Sequence, residues 1–172
     1  PLGSNPYGVE GYKSIAYEIV EQLGRVPDVV AVPTAYGDGI AGTTRGFLEL
    51  QTLGVTDTVP RMIAADPLGA YAASNDHGFG TRVAMTSTVA FSIGTPVATY
   101  QGYWAMEQTG GAATPPASDA ELVAMQVEIA RSAGLYLENS SVNAVLAERA
   151  LGASGFIGDD ETVVAIASST GL

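Results

Sequence analysis

Ile15, Ile19, Val20 and Leu23 recur at helical spacing and Gly24 follows them, which predicts an amphipathic helix stopped by glycine. Residues 29–32 then read Val-Val-Ala-Val between Pro27 and Pro33. A short β-branched run without polar alternation predicts a strand buried on both faces, the habit of parallel sheets. After a loop at 34–39, the stripe Ile40, Phe47, Leu50 and Leu53 predicts a second helix ending at Gly54, and 61–66 predicts a second strand. Strand, helix and strand in this order make a parallel crossover unit.

Residues 67–80 mix Gly, Ala, Ser, Asn and Asp without a period and predict an irregular surface connection with room for a short helix. Pro96 suits the first turn of a helix carrying Tyr100, Tyr103, Trp104 and Met106, with Gly110-Gly111 ending it. Ser118 and Glu121 have the spacing at which each side chain satisfies a free amide at a helix start, and Leu122, Met125, Ile129 and Ala133 continue that helix. A brief strand at 135–138, a helix at 142–151, a flexible connection at 152–161 and a strand at 162–167 complete the pattern. The expected fold is α/β: a single three-layer domain over 1–172, with a mostly parallel sheet flanked by helices. The chain opens on a helix and stops just after its last strand, so that layered domain is expected to be incomplete.

Composition narrows the function. The 172 residues are 47% hydrophobic and 15% charged, enough apolar surface to fold and too interrupted to span a bilayer. Eighteen acidic against seven basic side chains give a net charge of −11, which repels nucleic acid and anionic membranes. With no cysteine, disulfides and thiolate chemistry are excluded, in keeping with a reduced cytoplasm. Pro1 to Ser4 reads Pro-Leu-Gly-Ser, either a protease-site remnant or native sequence. Lys13 and His77 are the only lysine and histidine.

Gly37-Asp38-Gly39-Ile40-Ala41-Gly42 spells G-x-G-x-x-G between a strand and a helix, with Asp66 closing the next strand. Read literally this is a dinucleotide fingerprint, with Asp66 as ribose partner. Asp38 inside the loop counts against a long anionic ligand unless its carboxylate points away. The broader reading is a seat for some phosphate, made of backbone amides and a helix N-terminus. A tight structural turn is the alternative.

Asn5-Pro6-Tyr7-Gly8-Val9-Glu10-Gly11-Tyr12-Lys13-Ser14, the helix ending Gln22-Leu23-Gly24, Val32-Pro33 and Gly46-Phe47 closely resemble a segment of the threonine synthase family. Thr88-Val89-Ala90, Ser92-Ile93-Gly94-Thr95-Pro96, Gly134-Leu135-Tyr136-Leu137-Glu138 and the closing Ser168-Ser169-Thr170-Gly171-Leu172 extend the likeness over nearly the whole chain. The resemblance implies the C-terminal half of a fold-type-II pyridoxal 5'-phosphate enzyme of the tryptophan synthase β superfamily. It implies elimination or replacement chemistry on an amino acid, with O-phosphohomoserine to threonine as the leading reaction, and a homo-oligomer in the cytoplasm.

In that family a Gly-Asn-(Gly/Ala)-Gly-Asn loop holds the cofactor phosphate, and the resemblance places Ala35, Tyr36, Gly37, Asp38 and Gly39 there, with the amide of Ile40 following. Both Asn positions are replaced. Ser168 matches the hydroxyl that faces the pyridine nitrogen, and Glu138 matches a position near the ring. The anchoring lysine belongs to a Phe-Lys type motif in the N-terminal half, absent here, and Lys13 matches an ordinary position. The chain alone is therefore expected to be inactive, its partner being the missing half in the same or another polypeptide.

Other candidates have plainer readings. His77 reads as a solvated loop residue, Asp159-Asp160-Glu161 as a solvated turn rather than a metal site, and Tyr100, Tyr103 and Trp104 as core or interface. Glu138 caps the following helix if it does not approach a ring. Asp66 is a strand-end surface acid if no dinucleotide binds. Two other functions fit the same sequence: an NAD-binding oxidoreductase domain, and an acidic interaction module without catalysis.

Overall fold

The structure, a computed structural model, describes residues 5–171; the Pro-Leu-Gly-Ser opening and terminal Leu172 lie outside the described residues. In chain order the elements are α1 (Pro6–Gly11), α2 (Lys13–Leu23), β1 (Val29–Pro33), α3 (Asp38–Thr52), β2 (Arg61–Ala65), α4 (Ala70–His77), α5 (Tyr100–Thr109), β3 (Ala112–Ala113), α6 (Asp119–Ala133), α7 (Asn139–Ala153) and β4 (Val163–Ala165). The strands form one sheet in the order β3-β2-β1-β4, and every pairing is parallel. Val29 pairs with Arg61 on one side and with Val163 on the other.

The unbroken apolar strand β1 is explained by helices on both faces. Val30 and Val32, with Met62 and Ala64, pack against Ala16 of α2, Ile40 and Phe47 of α3, and Ala105 and Met106 of α5. Val29 and Ala31, with Ile63 and Ala65, pack against Ala144, Ala147 and Leu151 of α7. A third cluster of Ala90, Ile93, Leu122, Met125 and Val142 seats α6 on α7 and on the 3-10 turn at Phe91–Ile93. The α/β three-layer expectation is therefore met.

Glycines set the closest approach between helices. A Cβ on Gly46 of α3 would lie 2.6 Å from the Lys13 carbonyl and 2.8 Å from the Ala16 methyl of α2. The capping box forms as its sequence predicts: Ser118 Oγ accepts from the Glu121 amide at 3.3 Å, and Glu121 Oε2 accepts from the Ser118 amide at 2.9 Å.

Several elements differ from the sequence pattern. The helix assigned from Pro96 begins at Tyr100, with Thr99 as its N-cap. Pro96 lies outside because its carbonyl accepts from the Val83 amide beside an Arg82–Val97 antiparallel bridge. The strand assigned at 135–138 shrinks to one antiparallel bridge, Leu137–Thr170, because among the described residues it pairs there rather than with the sheet. The final strand is three residues long, and the two-alanine strand β3 carried no sequence signal. Residues 70–77 form the short helix for which the sequence left room.

Two outcomes follow from this packing. Gly46→Ala is expected to lose about 1–3 kcal/mol in urea unfolding, since the added methyl drives α2 from α3. On α7, Glu148 Oε1 is buried without a partner among the described residues, and burial pushes the carboxyl up to about 7. The folded state then holds the proton more tightly than the unfolded chain, whose Glu titrates at about 4.3, so stability falls as pH rises between those values. Glu148→Gln is expected to flatten that slope and raise stability above pH 7 by about 1–2 kcal/mol, less than the displacement implies because water reaches the half-buried group.

Candidate functional site

The sheet order fixes where a ligand can enter. From β1 the chain moves outward through β2 to β3, then returns to lay β4 on the opposite side of β1. The carboxyl ends of β1 and β4 therefore flank the point where the winding direction reverses, the place where open α/β sheets bind ligands. Residues 34–37 leave β1 there and residues 166–168 leave β4 there. Thr34 to Gly37, Ile166 and Ser168 line a cavity of about 280 Å³. Ala35, Tyr36, Gly37, Asp38, Gly39, Ile40 and Ser168, drawn from distant parts of the sequence, all line it, joined by Tyr12, Ile15 and Ile93.

The loop's carbonyls are tied down on the side facing α4 and α5. The Tyr71 hydroxyl donates to the Ala35 carbonyl at 2.9 Å, and the Thr99 hydroxyl donates to the Tyr36 carbonyl at 2.7 Å. Gln101 Nε2 also donates to the Tyr36 carbonyl at 2.8 Å. In a trans peptide the N–H points opposite to the C=O, so the amides of Tyr36 and Gly37 face away from α5. The first amides of α3, at Asp38, Gly39 and Ile40, precede the first helical bond, in which the Ala41 amide donates to the Gly37 carbonyl. None of the amides from Tyr36 to Ile40 donates to an acceptor among the described residues. The Asp38 carboxylate accepts from Gln101 Nε2, which draws its charge toward α5.

Gly37 is required twice over. Its φ is 79°, and a Cβ there would sit 2.6 Å from the Gly102 amide nitrogen and 2.9 Å from Thr99 Oγ1. Gly102 in turn makes room for the Tyr71 ring, which would lie 2.5 Å from a Cβ. Burial pushes the Tyr71 phenol up, keeping it a proton donor.

In the same cavity, Ser168 is exposed and its hydroxyl lies 3.3 Å from that of Ser141, a buried residue of α7. Ser141 Oγ also accepts from the Ser169 amide at 2.9 Å, pinning the strand exit. The arrangement offers uncommitted amides and a helix N-terminus to an anion at one end, and a neutral hydroxyl at the other.

A family model described as pyridoxal-phosphate dependent enzyme matches residues 1–169. The chain belongs to the pyridoxal-phosphate-dependent enzyme family. Threonine synthase of Methanosarcina acetivorans is 34% identical over 169 residues, 94% of this chain and 42% of that protein. Threonine synthase of Methanocaldococcus jannaschii is 32% identical over 98% of this chain and 43% of its own length. Among solved structures, threonine deaminase isoform 2 of Solanum lycopersicum matches with a TM-score of 0.75 at 20% identity, over 95% of this chain and 43% of its own. The L-serine ammonia-lyase of Rhizomucor miehei matches at 0.74 and 16%, over 94% of this chain and 51% of its own. These two likenesses concern the fold. The chain spans less than half the length of the curated relatives named here.

For a member of the pyridoxal-phosphate-dependent family, the donor set fits the cofactor: a monoester at the amides, a ring nitrogen at the hydroxyl. The remaining candidates have other work. Asp66 is fully buried, and its carboxylate accepts from the Leu68 and Tyr71 amides at 2.9 and 3.1 Å at the start of α4. Burial pushes its pKa up, against the lowering effect of those amides. It is neither a ribose partner nor a surface acid, which removes the residue the dinucleotide reading needs. Lys13 lies between Glu10 at 2.7 Å and Glu49 at 2.9 Å. Those hydrogen bonds, Glu10's first, raise its pKa and keep it an ammonium; it does not line the cavity.

Glu138 is the N-cap residue of α7 but makes no side-chain cap bond; its carboxylate accepts from Ser140 at 3.0 Å. His77 is exposed and ends α4 rather than lying in a loop. Glu161 is not a solvated acid: it pairs with Arg61, while Asp159 and Asp160 are exposed. Tyr100 is 66% exposed, and Phe79 packs on it and on Tyr103 with ring centroids 6.1 and 5.7 Å apart. Trp104 lies beneath the Arg45 guanidinium.

Sequence reading missed Tyr71, Thr99, Gln101 and Ser141, which position the site without belonging to the loop. Tyr71 sat in the stretch with no period, and nothing local marked it. Tyr71→Phe is expected to lose about 1 kcal/mol in urea unfolding, because the part-buried Ala35 carbonyl loses its hydrogen bond. The Ala35 carbonyl carbon-13 resonance is expected to shift while carbonyl resonances at the centre of α3 stay in place; an unchanged Ala35 resonance would remove the role given to Tyr71.

Proposed function

We propose that this chain forms the phosphate and ring-nitrogen side of the cofactor site of an amino-acid lyase or synthase. The leading reaction is O-phosphohomoserine to threonine. The reading rests on one observation: the five successive amides from Tyr36 to Ile40 have no acceptor among the described residues and belong to residues that line one cavity together with Ser168. The relatives named threonine synthase support the choice of reaction. The amides of Tyr36, Gly37, Asp38, Gly39 and Ile40, with the N-terminus of α3, hold the phosphate of pyridoxal 5'-phosphate. The Ala35 carbonyl, tied to Tyr71, fixes the start of that turn.

When bound, the cofactor supplies an electron sink for bond breaking next to an amino-acid carbon. Ser168, steadied by Ser141, offers the ring nitrogen a neutral hydroxyl and leaves that nitrogen largely unprotonated. Such a setting moderates electron withdrawal and suits elimination and replacement. The covalent anchor comes from a lysine in a segment outside this chain, since Lys13 is held by two carboxylates away from the cavity. This chain alone is then inactive. The assembled enzyme is a cytoplasmic homo-oligomer taking a small amino-acid substrate. Among the described residues, no helix is long and apolar enough to cross a membrane.

Phosphorus NMR titration of pyridoxal phosphate with the chain tests the reading. A saturable shift of the monoester resonance is expected, weakened at least about tenfold by Gly37→Ala, while Ser168→Ala alters ring absorbance more than phosphate affinity. Borohydride reduction is expected to leave the chain's mass unchanged. A stoichiometric adduct at Lys13, or equal affinity in the Gly37 variant, would overturn it.

A further inference from the structure

Beyond that site, a recess of about 240 Å³ lies between α7 and the segment that leads from β3 to α6. Leu146, Ala150, Thr114 and Pro116 line it, and none of its lining residues lines the cavity between β1 and β4. Its wall also carries Asn143, only 2% exposed, whose Nδ2 has no hydrogen-bond partner. Neither end of that carboxamide bonds to another group among the described residues. A buried amide with unused hydrogen-bonding capacity is costly, and a ligand that pairs with it recovers the loss.

The charged groups at the rim are already engaged. Arg149 is held by Glu128 through two contacts, at 2.6 and 3.1 Å, and Glu121 is committed to Ser118. Arg149 and Glu128 cancel, leaving the charge of Glu121 to disfavour an anion. The volume equals roughly eight waters, room for a molecule of about that many heavy atoms. We propose that this recess binds a small neutral carboxamide with a compact branched apolar body. Its amide pairs with Asn143 and its methyl groups pack on Leu146 and Ala150.

The probe is isobutyramide, with isobutyrate as its anionic isostere, titrated into nitrogen-15 labelled protein while the Asn143 side-chain resonances are followed. Isobutyramide is expected to shift them saturably in the millimolar range, and isobutyrate to bind at least about fivefold more weakly. Asn143→Leu is expected to abolish isobutyramide binding with no fall in melting temperature, because an unpaired amide is replaced by a side chain suited to the apolar wall. Should that variant fail to fold, Ala150→Phe fills the recess and must abolish binding instead. Absence of a saturable shift, equal affinity for the two probes, or retained binding in a folded variant would overturn the proposal.

Discussion

The Tyr71 hydroxyl governs the geometry of the candidate cofactor site. Buried between α4 and α5, it donates to the Ala35 carbonyl 2.9 Å away and lies 3.2 Å from the Thr99 hydroxyl, which holds the next carbonyl. Each hydroxyl has a single proton to give, so the two carbonyls fix both donors and, through the planar peptides, the direction of the following amides. Gly102 has to lack a Cβ for the Tyr71 ring to reach this position, and Gly37 for the loop to lie against Gly102. A phenol, a threonine hydroxyl and two glycines thus make a single steric and hydrogen-bonded unit.

In the proposed site, that unit lets a loop in which both asparagines of the family pattern are replaced still offer an anion seat. The residues at the two asparagine positions, Tyr36 and Gly39, would contribute main-chain amides, and a main-chain donor does not depend on the side chain it precedes. Asp38, which a sequence reading sets against a bound phosphate, has its carboxylate drawn to Gln101. At the same time, as an acid in the first turn of α3, it favours the helix start.

The parallel sheet supplies the second half of the site. β4 returns beside β1, so the chain after Ile166 emerges next to the loop after Pro33 even though the two are far apart in sequence. The Ile166 amide donates to the Ala31 carbonyl at 2.9 Å, and Ser141 on α7 grips Ser169 just beyond. Ser168 is held between these restraints, so its hydroxyl is presented by the sheet and a helix together rather than by a free tail. In the proposed function the anchoring lysine comes from outside this chain, and Lys13 illustrates why residue type alone decides little: carboxylates of α1 and α3 hold it away from the cavity.

What the sequence determined by itself was whatever short-range physics controls. The all-apolar β1 announced a two-faced burial, the Ser118–Glu121 spacing announced a capped helix, and the glycines after β1 announced a close backbone approach. The likeness to threonine synthase singled out the loop residues and Ser168, which the structure brings to one cavity. Only the tertiary structure decided the roles of Tyr71, Thr99, Gln101, Ser141 and Asp66, and the failure of 135–138 to become a strand. Those outcomes depend on which carbonyl, amide or strand edge lies opposite once the layers close, and hydrogen-bond partners dozens of residues away leave no periodic or local trace in the chain.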